Sequence, residues 1–267
     1  MRKSIIATLL SATMVSEPVT ALSDTYFDLM GDADKAISEG KWLEAEKSLK
    51  DAMALDPENP SNILLMSNLG LVQFYLGQDS AAITTLSDAH KRAPVSVTVL
   101  KNRAEVYLAL GRDSLAYNDY SKIIALDTTL IEPRYMHAVM SLRYGDYATA
   151  QNDCDALNRM SPGSDEANTA YGTLYTATEQ WEKAIPYYSE LIKKKPSADL
   201  YSARAVCYLM TQKLNEASAD IAAGLELDPD NGELYLYRGY LNKLRYRKDD
   251  ARNDDGCRTC FSAFRQF

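Results

Sequence analysis

Apolar side chains recur at helical spacing along this chain, and short polar turns interrupt them. In one well-formed stretch a first helix is predicted to begin near Pro133 and to end at Gly145, because proline is tolerated in a first turn and glycine commonly closes a helix. Its apolar residues are Met136, Val139, Met140 and Leu142. A second helix is predicted over residues 147–160, and it stops before Pro162 because a residue that precedes proline is pushed out of the helical conformation. The pattern therefore predicts two helices joined by a short turn.

The same two-helix pattern recurs in a fixed register. A six-residue block at each turn ends in an alanine, here called the block alanine, at Ala45, Ala82, Ala116, Ala150, Ala184, Ala217 and Ala251. These alanines are spaced by 37, 34, 34, 34, 33 and 34 residues. Twelve residues before each one is a small-residue position, occupied by Ala33, Gly70, Ala104, Ala138, Gly172, Ala205 and Gly239. Because helices approach closely only where side chains are small, the two series predict where the helices of each pair cross.

A period of about 34 residues, two helices per period, small residues at the crossing and a proline after five of the second helices resemble the tetratricopeptide repeat family. The resemblance implies an all-α protein, a right-handed α-solenoid of about seven antiparallel helix pairs that forms a superhelix. The array is predicted over residues 22–255, with approximate repeats 26–59, 63–96, 97–130, 131–164, 165–197, 198–231 and 232–255. Residues 256–267 fit the repeat poorly, since Asp255 and Arg258 stand where apolar residues are expected, and an irregular tail or last helix is predicted there.

The first residues of the chain have the pattern of a secretory signal peptide. Arg2 and Lys3 precede an apolar run over residues 5–15, and small residues follow up to Ala21. The apolar run is too short to cross a bilayer of about 30 Å as a helix. We therefore expect residues 1–21 to be a signal peptide cleaved after Ala21, and the mature protein to be exported, either periplasmic or secreted, without an integral membrane segment.

Charge argues against a nucleic-acid partner. The chain carries 29 basic and 37 acidic side chains, a formal net charge of −8. Binding to phosphate backbones needs clustered lysine and arginine that displace counterions. The basic run Lys193-Lys194-Lys195 lies at the end of a predicted helix, where cations favour the helix dipole, so we interpret it as structural.

The sequence carries few residues in patterns that suggest catalysis. His90 and His137 lie in different repeats without a metal-ligand spacing, and no phosphate-binding loop or nucleophile elbow is present in the sequence. We therefore predict no enzyme activity, no catalytic residue, no metal and no cofactor. The motif Cys257-Arg258-Thr259-Cys260 leaves an alternative open, a thiol-redox or metal-dependent protein, although a local disulfide or two free thiols explain the same spacing.

In the resembled family, the first helices line a concave groove that binds extended peptides or partner helices. Matching positions transfer this role to Lys101, Glu105, Glu132, Tyr135, Val139, Glu166, Asp199, Glu233, Tyr237 and Tyr240. Glu132, Glu166, Asp199 and Glu233 form an acidic row that could attract a basic segment, but carboxylates in first turns also complement the helix dipole. Tyrosines are common anchors because they supply rigid contact area.

These expectations lead to one principal hypothesis and one structural alternative. The principal hypothesis is a non-catalytic scaffold that binds a protein or peptide partner in the cell envelope or extracellular space. The alternative is a homo-oligomer assembled through the C-terminal end, where Phe261, Phe264 and Phe267 form an apolar stripe that another surface would have to cover.

Overall fold

The computed structural model describes the backbone of residues 21–250 and the side chains of residues 25–246. Within that range the chain forms thirteen α-helices and no β-strand, so the predicted all-α fold is confirmed. The helices are α1 Ala21–Ser38, α2 Trp42–Leu55, α3 Asn62–Tyr75, α4 Asp79–Arg92, α5 Val97–Ala109, α6 Asp113–Leu126, α7 Ile131–Arg143, α8 Tyr147–Met160, α9 Asp165–Ala177, α10 Trp181–Lys194, α11 Ala198–Met210, α12 Leu214–Leu227 and α13 Gly232–Asp250. The predicted signal peptide up to residue 20, the Cys257–Cys260 motif and the phenylalanines of the tail lie outside the described residues.

Most of the turns inside the helix pairs use a left-handed residue five positions before the block alanine. Gly145 adopts φ 74° there, and glycine does so without the steric cost that other residues meet. Glu179 (φ 58°) and Gln212 (φ 59°) occupy the same place in later repeats. Several second helices end just before a proline, as α8 does at Met160. The predicted turn chemistry thus explains where most helices begin and end.

The described residues divide into two compact units, unit 1 up to Met140 and unit 2 from Ser141. In unit 1, α1 to α6 pack in sequence, and the first helices α3 and α5 also contact each other. In unit 2, α8 to α13 pack in the same manner, and the first helices α11 and α13 are in contact. Each unit buries its own apolar clusters between these helices.

The small-residue positions make the helix crossings possible. Ala33, Ala104, Ala138 and Ala205 are completely buried. A Cβ atom added to Gly70 would lie 2.4 Å from Cγ of Leu86, and one added to Gly172 would lie 2.8 Å from Cε1 of Tyr188. Both neighbours stand four residues after a block alanine on the second helix of the same repeat. Glycine is therefore needed at these two crossings because the facing side chain fills the space of a methyl group.

Replacing Gly70 with alanine should lower the free energy of unfolding by about 1–3 kcal/mol, since the added methyl group overpacks the contact with Leu86. Urea unfolding followed by circular dichroism would measure the change. The matched control is Gly31→Ala in α1, where a Cβ atom would meet no atom within 4 Å. The control should gain up to about 1 kcal/mol from helix propensity. Equal stability of the two variants would contradict the close crossing.

Two arginine–aspartate pairs recur in equivalent places within the two units. In unit 1, Nε and Nη2 of Arg103 donate to the two carboxylate oxygens of Asp119, both at 2.8 Å. In unit 2, Arg204 donates to Asp220 at 2.8 and 2.7 Å. Each arginine stands thirteen residues before a block alanine and each aspartate three residues after it. The pair therefore joins the first and second helices of one repeat, with both aspartates buried.

The last described helix departs from the predicted repeat. α13 runs without interruption from Gly232 to Asp250, and so includes residues 246–250, where the repeat pattern places a turn. The residue five positions before Ala251 is Tyr246, where four earlier repeats have glycine. Arginine and lysine follow at positions 247 and 248, and both favour a helix. Within the described residues the seventh pair therefore has its first helix only.

Candidate functional site

A charged cluster lies on first helices of unit 1. Lys101 of α5 is ion-paired with Glu132 of α7, and Nζ of Lys101 lies 3.9 Å from Oε1 of Glu105. Lys101 and Glu105 stand four residues apart, so they share one face of α5. Two carboxylates thus share one ammonium group, and three of the predicted groove residues are brought together.

Glu105 is the least hydrated carboxylate of this cluster. Its side chain is only 16% exposed, whereas that of Glu132 is 57% exposed. Burial raises the pKa of Glu105 from 4.5 to about 7, an effect that Lys101 opposes and the charge of Glu132 reinforces. Burial also raises the pKa of Tyr75 and of Tyr120, and the charge of Glu105 adds to both shifts. The carboxylate therefore stands in a partly apolar setting that two tyrosines help to form.

Two residues of the predicted acidic row connect successive repeats. Glu132 pairs with Lys101 of the preceding repeat, and Oε2 of Glu233 accepts a hydrogen bond from Oγ of Ser202 at 2.8 Å. Lys101 and Ser202 both stand fifteen residues before a block alanine, and each acid stands eighteen before the next. Two members of the row therefore have partners within the chain, and both pairs join successive first helices.

The remaining acidic residues lie where the helix dipole favours them. Asp199 is exposed in the first turn of α11, and Glu166 is half-buried in the first turn of α9. Their placement agrees with the dipole interpretation as well as with a surface that attracts cations.

The predicted tyrosine anchors differ in accessibility. Tyr135 and Val139 are half-buried on α7, and Tyr240 is half-buried on α13. Tyr237 is only 8% exposed and packs in the unit 2 core with Leu234 and Leu241. Its hydroxyl donates to Oε1 of Glu233 at 2.8 Å, and burial together with that carboxylate raises its pKa. Tyr237 therefore offers little surface to a partner, which differs from the open anchor that the sequence suggests.

An aromatic pair beside the cluster was not among the predicted site residues. The rings of Trp42 and Tyr75 stack with centroids 4.3 Å apart and an interplanar angle of 8°. The pair joins the start of α2 to the end of α3, and both side chains are half-buried. Sequence spacing indicated only that Trp42 begins a second helix, because its partner belongs to the next repeat.

The described residues offer little for catalysis. Among residues 25–246, no group of three or more histidine, cysteine, aspartate or glutamate side chains is arranged to hold a metal ion. Cys154 and Cys207 are buried thiols, and burial raises their pKa to about 12 and about 11. Thiols react as thiolates, so these two are poor nucleophiles at neutral pH. No helix in the described part of the chain has the length and hydropathy needed to cross a membrane.

Antiparallel helix pairs stacked in sequence define the class of helical repeat proteins. Comparison with known proteins narrows the class. Residues 141–207 match the family model described as tetratricopeptide repeat. A crystal structure of a tetratricopeptide repeat protein from Parabacteroides merdae is 28% identical, covers 85% of this chain and 90% of its own, and has a TM-score of 0.70. Residues 141–207 therefore belong to the tetratricopeptide repeat family.

Other known proteins match a large part of the chain in sequence or in structure. DnaJ homolog subfamily C member 3 of Gallus gallus is 25% identical over 228 residues, which are 73% of this chain and 44% of the relative. The chain thus spans less than half the length of that curated relative. The crystal structure of YrrB, described as a TPR protein with an unusual peptide-binding site, is 13% identical with a TM-score of 0.60, and covers 73% of this chain and 100% of its own. At that identity the likeness shows the fold alone.

Proposed function

We propose that the chain is a non-catalytic scaffold that binds an extended, basic protein segment along the first helices of unit 1. The observation that carries the proposal is the incomplete pairing of Glu105. Its side chain is mostly removed from water, yet the ammonium group of Lys101 lies 3.9 Å away, beyond hydrogen-bond distance. Such a carboxylate would be stabilised most by a hydrogen-bond donor that a binding partner supplies, because hydrogen bonds to charged groups are stronger than those between neutral groups.

The surroundings of Glu105 fit a cationic group. Two carboxylates face one ammonium group in the cluster, so the deprotonated cluster keeps one negative charge. Tyr75 is stacked on Trp42 close to this charge, and aromatic rings attract lysine and arginine side chains. The half-buried Tyr135 on α7 adds rigid contact area on a neighbouring first helix. The family supports the general role, since one structural neighbour is described as having a peptide-binding site.

The scaffold is proposed to act outside the cytoplasm. This part rests on the sequence pattern of residues 1–21, with a basic start, an apolar run and small residues before the repeats. Amino-terminal sequencing of the protein recovered from its host would test it. A chain that still begins at Met1 in the cytoplasm would oppose export.

The binding proposal can be tested with two sets of unstructured peptides of equal length, one rich in lysine and tyrosine and the other in glutamate and tyrosine. At pH above 8, where Glu105 is deprotonated, the wild type should prefer the basic set. Glu105→Gln should weaken that binding roughly tenfold or more, as expected for the loss of a charged hydrogen bond. The control Glu44→Gln removes a carboxylate whose side chain is 69% exposed on α2, and should leave binding unchanged. Fluorescence anisotropy would measure both.

Two results would contradict the proposal. One is equal affinity of the wild type and Glu105→Gln for the basic peptides, which would show that peptide binding does not depend on the charged cluster. The other is a preference of the wild type for the acidic peptides, which would reverse the sign of the recognised charge.

A further inference from the structure

Both oxygen atoms of the Glu105 carboxylate are open to a ligand. Among the described residues Glu105 accepts no hydrogen bond, and its ion pair with Nζ of Lys101 spans 3.9 Å. That ammonium group is hydrogen-bonded to Glu132 instead. Neither oxygen of Glu105 is among the fully enclosed polar atoms without a partner, so both are reached from solvent. Two donors can therefore bind this carboxylate at the same time.

Aromatic surface lies beside this carboxylate. Burial raises the pKa of Tyr75, and the charge of Glu105 raises it further, so the two side chains are neighbours. They lie on α3 and α5, which are in contact. Trp42 stacks on Tyr75 and fixes the orientation of its ring, and both aromatic side chains are half-buried. Part of this aromatic surface therefore remains accessible next to an open carboxylate.

We propose that this site selects arginine over lysine in the bound segment, with the guanidinium group donating two hydrogen bonds to Glu105 and stacking against Tyr75. Such selection rests on the proposed function, because a basic segment must bind here before its cations can be distinguished. Arginine and lysine both carry one positive charge, so net charge does not separate them. The selection therefore depends on the shape, the hydration and the charge distribution of the cation.

The shape of the guanidinium group matches the open carboxylate. Arginine presents planar N–H donors as a fork that pairs with both oxygens of a carboxylate at once. The ammonium group of lysine is a compact point charge, and it does not form this pair of parallel hydrogen bonds. Lys101 illustrates the difference, since its Nζ bonds to Glu132 and stays 3.9 Å from Oε1 of Glu105. An arginine from the partner would supply a donor to each oxygen of Glu105.

The surroundings of Glu105 favour the same cation. Its side chain is only 16% exposed, so a ligand has to lose part of its hydration shell on binding. A guanidinium group is more weakly hydrated than an ammonium group, and its planar face stacks on aromatic rings such as that of Tyr75. The guanidinium charge is also delocalised, which lowers its repulsion by the ammonium group of Lys101. Hydration, stacking and charge distribution thus act in the same direction.

Three unstructured peptides of equal length and charge test the selection above pH 8, where Glu105 is deprotonated and lysine keeps its charge. They carry tyrosine with arginine, with lysine or with dimethylarginine, whose methyl groups keep the charge but block bidentate hydrogen bonding. Fluorescence anisotropy should show the arginine peptide binding the full-length wild type at least about tenfold more tightly than the other two. Glu105→Gln should bring the three affinities together. The control Glu44→Gln, at an exposed carboxylate of α2, should keep the wild-type order.

Variants of Tyr75 test the stacking. Tyr75→Leu should lower the ratio of arginine to lysine affinity about threefold or more, because it removes the ring beside the guanidinium group. Tyr75→Phe restores a ring and should rescue the ratio. Tyr147→Leu is the matched control, at a tyrosine 43% exposed at the start of α8 in unit 2, and it should keep the wild-type ratio. Circular dichroism would show that each variant keeps its helices.

The results separate this selection from the binding on which it rests. Equal affinity of the arginine and lysine peptides for the wild type, with both weakened by Glu105→Gln, would overturn the selection and leave the proposed binding intact. A dimethylarginine peptide that binds as tightly as the arginine peptide would overturn the contact through two hydrogen bonds. An unchanged ratio in Tyr75→Leu would overturn the stacking. If no basic peptide binds the wild type, the proposed binding and the selection both fail.

Discussion

Arg103→Met is expected to lower the free energy of unfolding by about 3–5 kcal/mol, because it leaves Asp119 as a buried charge without its partner. Both carboxylate oxygens of Asp119 accept hydrogen bonds from Arg103 at 2.8 Å, and the side chain of Asp119 is only 3% exposed. Methionine keeps most of the volume of arginine. The lowered free energy of unfolding would therefore come from the unpaired charge of Asp119 and not from a cavity. Chemical denaturation followed by circular dichroism would give the change, and amide hydrogen exchange in α5 and α6 would locate it.

The double variant Arg103→Met/Asp119→Leu separates the pair from the packing around it. Removing both charges should recover most of the lost stability, since replacing a buried ion pair with apolar residues is often neutral. The equivalent pair Arg204–Asp220 offers an independent repeat of the experiment, with an additional hydrogen bond from Nη1 of Arg204 to Oγ of Ser189 at 2.9 Å. If the free energy of unfolding of Arg103→Met lies within about 1 kcal/mol of the wild-type value, the pair does not stabilise this repeat.

The repeat architecture was predictable because its causes are local. Proline and glycine near helix ends, and small residues at the crossings, act through backbone conformation and steric size, which any single repeat displays. Gly145 illustrates this, since its position in the block predicts the left-handed turn that the structure has. Tyr246 marks the limit of the approach. It occupies the turn position of the last block, but α13 continues through it, whereas Glu179 and Gln212 at the same position adopt the left-handed conformation of a turn.

The candidate site was only partly predictable because its contacts join different repeats. The period placed Lys101, Glu105 and Glu132 on first helices, and the structure brings these three together. Whether a given member faces a partner or the core depends on how neighbouring helices stack. Tyr237 shows this, since spacing alone placed it in the groove and the packing of unit 2 buries it.

The arginine–aspartate pairs were missed although a signal was present in the sequence. Arg103 and Asp119 stand sixteen residues apart, and Arg204 and Asp220 stand at the same spacing and the same distance from a block alanine. Opposite charges at the same two positions of two repeats are the sequence pattern expected for a buried ion pair. Other repeats replace the pair with other side chains, as at Tyr171 and Tyr187, whose rings stack with centroids 5.0 Å apart. Because the residues at these two positions differ between repeats, residue identity alone did not indicate the pair.

Glu105→Gln is expected to stabilise the protein by about 3 kcal/mol at pH 8 and to leave its stability unchanged near pH 4. The folded state raises the pKa of Glu105 from 4.5 to about 7, so between these values the folded state binds more protons than the unfolded state. The stability of the wild type therefore falls as the pH rises from about 4.5 to about 7, and then stays at the lower level. Glutamine does not titrate, so the difference in the free energy of unfolding between the variant and the wild type should grow as the pH rises through this range.

Urea unfolding at a series of pH values would measure this difference. Glu44→Gln on α2 is the control, and it should follow the wild type at every pH because its side chain is 69% exposed. A constant difference across the series, or a variant less stable than the wild type at pH 8, would contradict the inferred burial of the charge.

The same titration links stability to the proposed binding. A cationic group that docks beside Glu105 favours the deprotonated carboxylate, so binding should release a proton below about pH 7 and affinity for basic peptides should rise with pH through that range. Calorimetry in buffers of different ionisation enthalpy would count the protons released. In Glu105→Gln the pH dependence should vanish together with the gain in affinity. If peptides bind with an affinity that is independent of pH between 5 and 8, the partner does not contact this carboxylate.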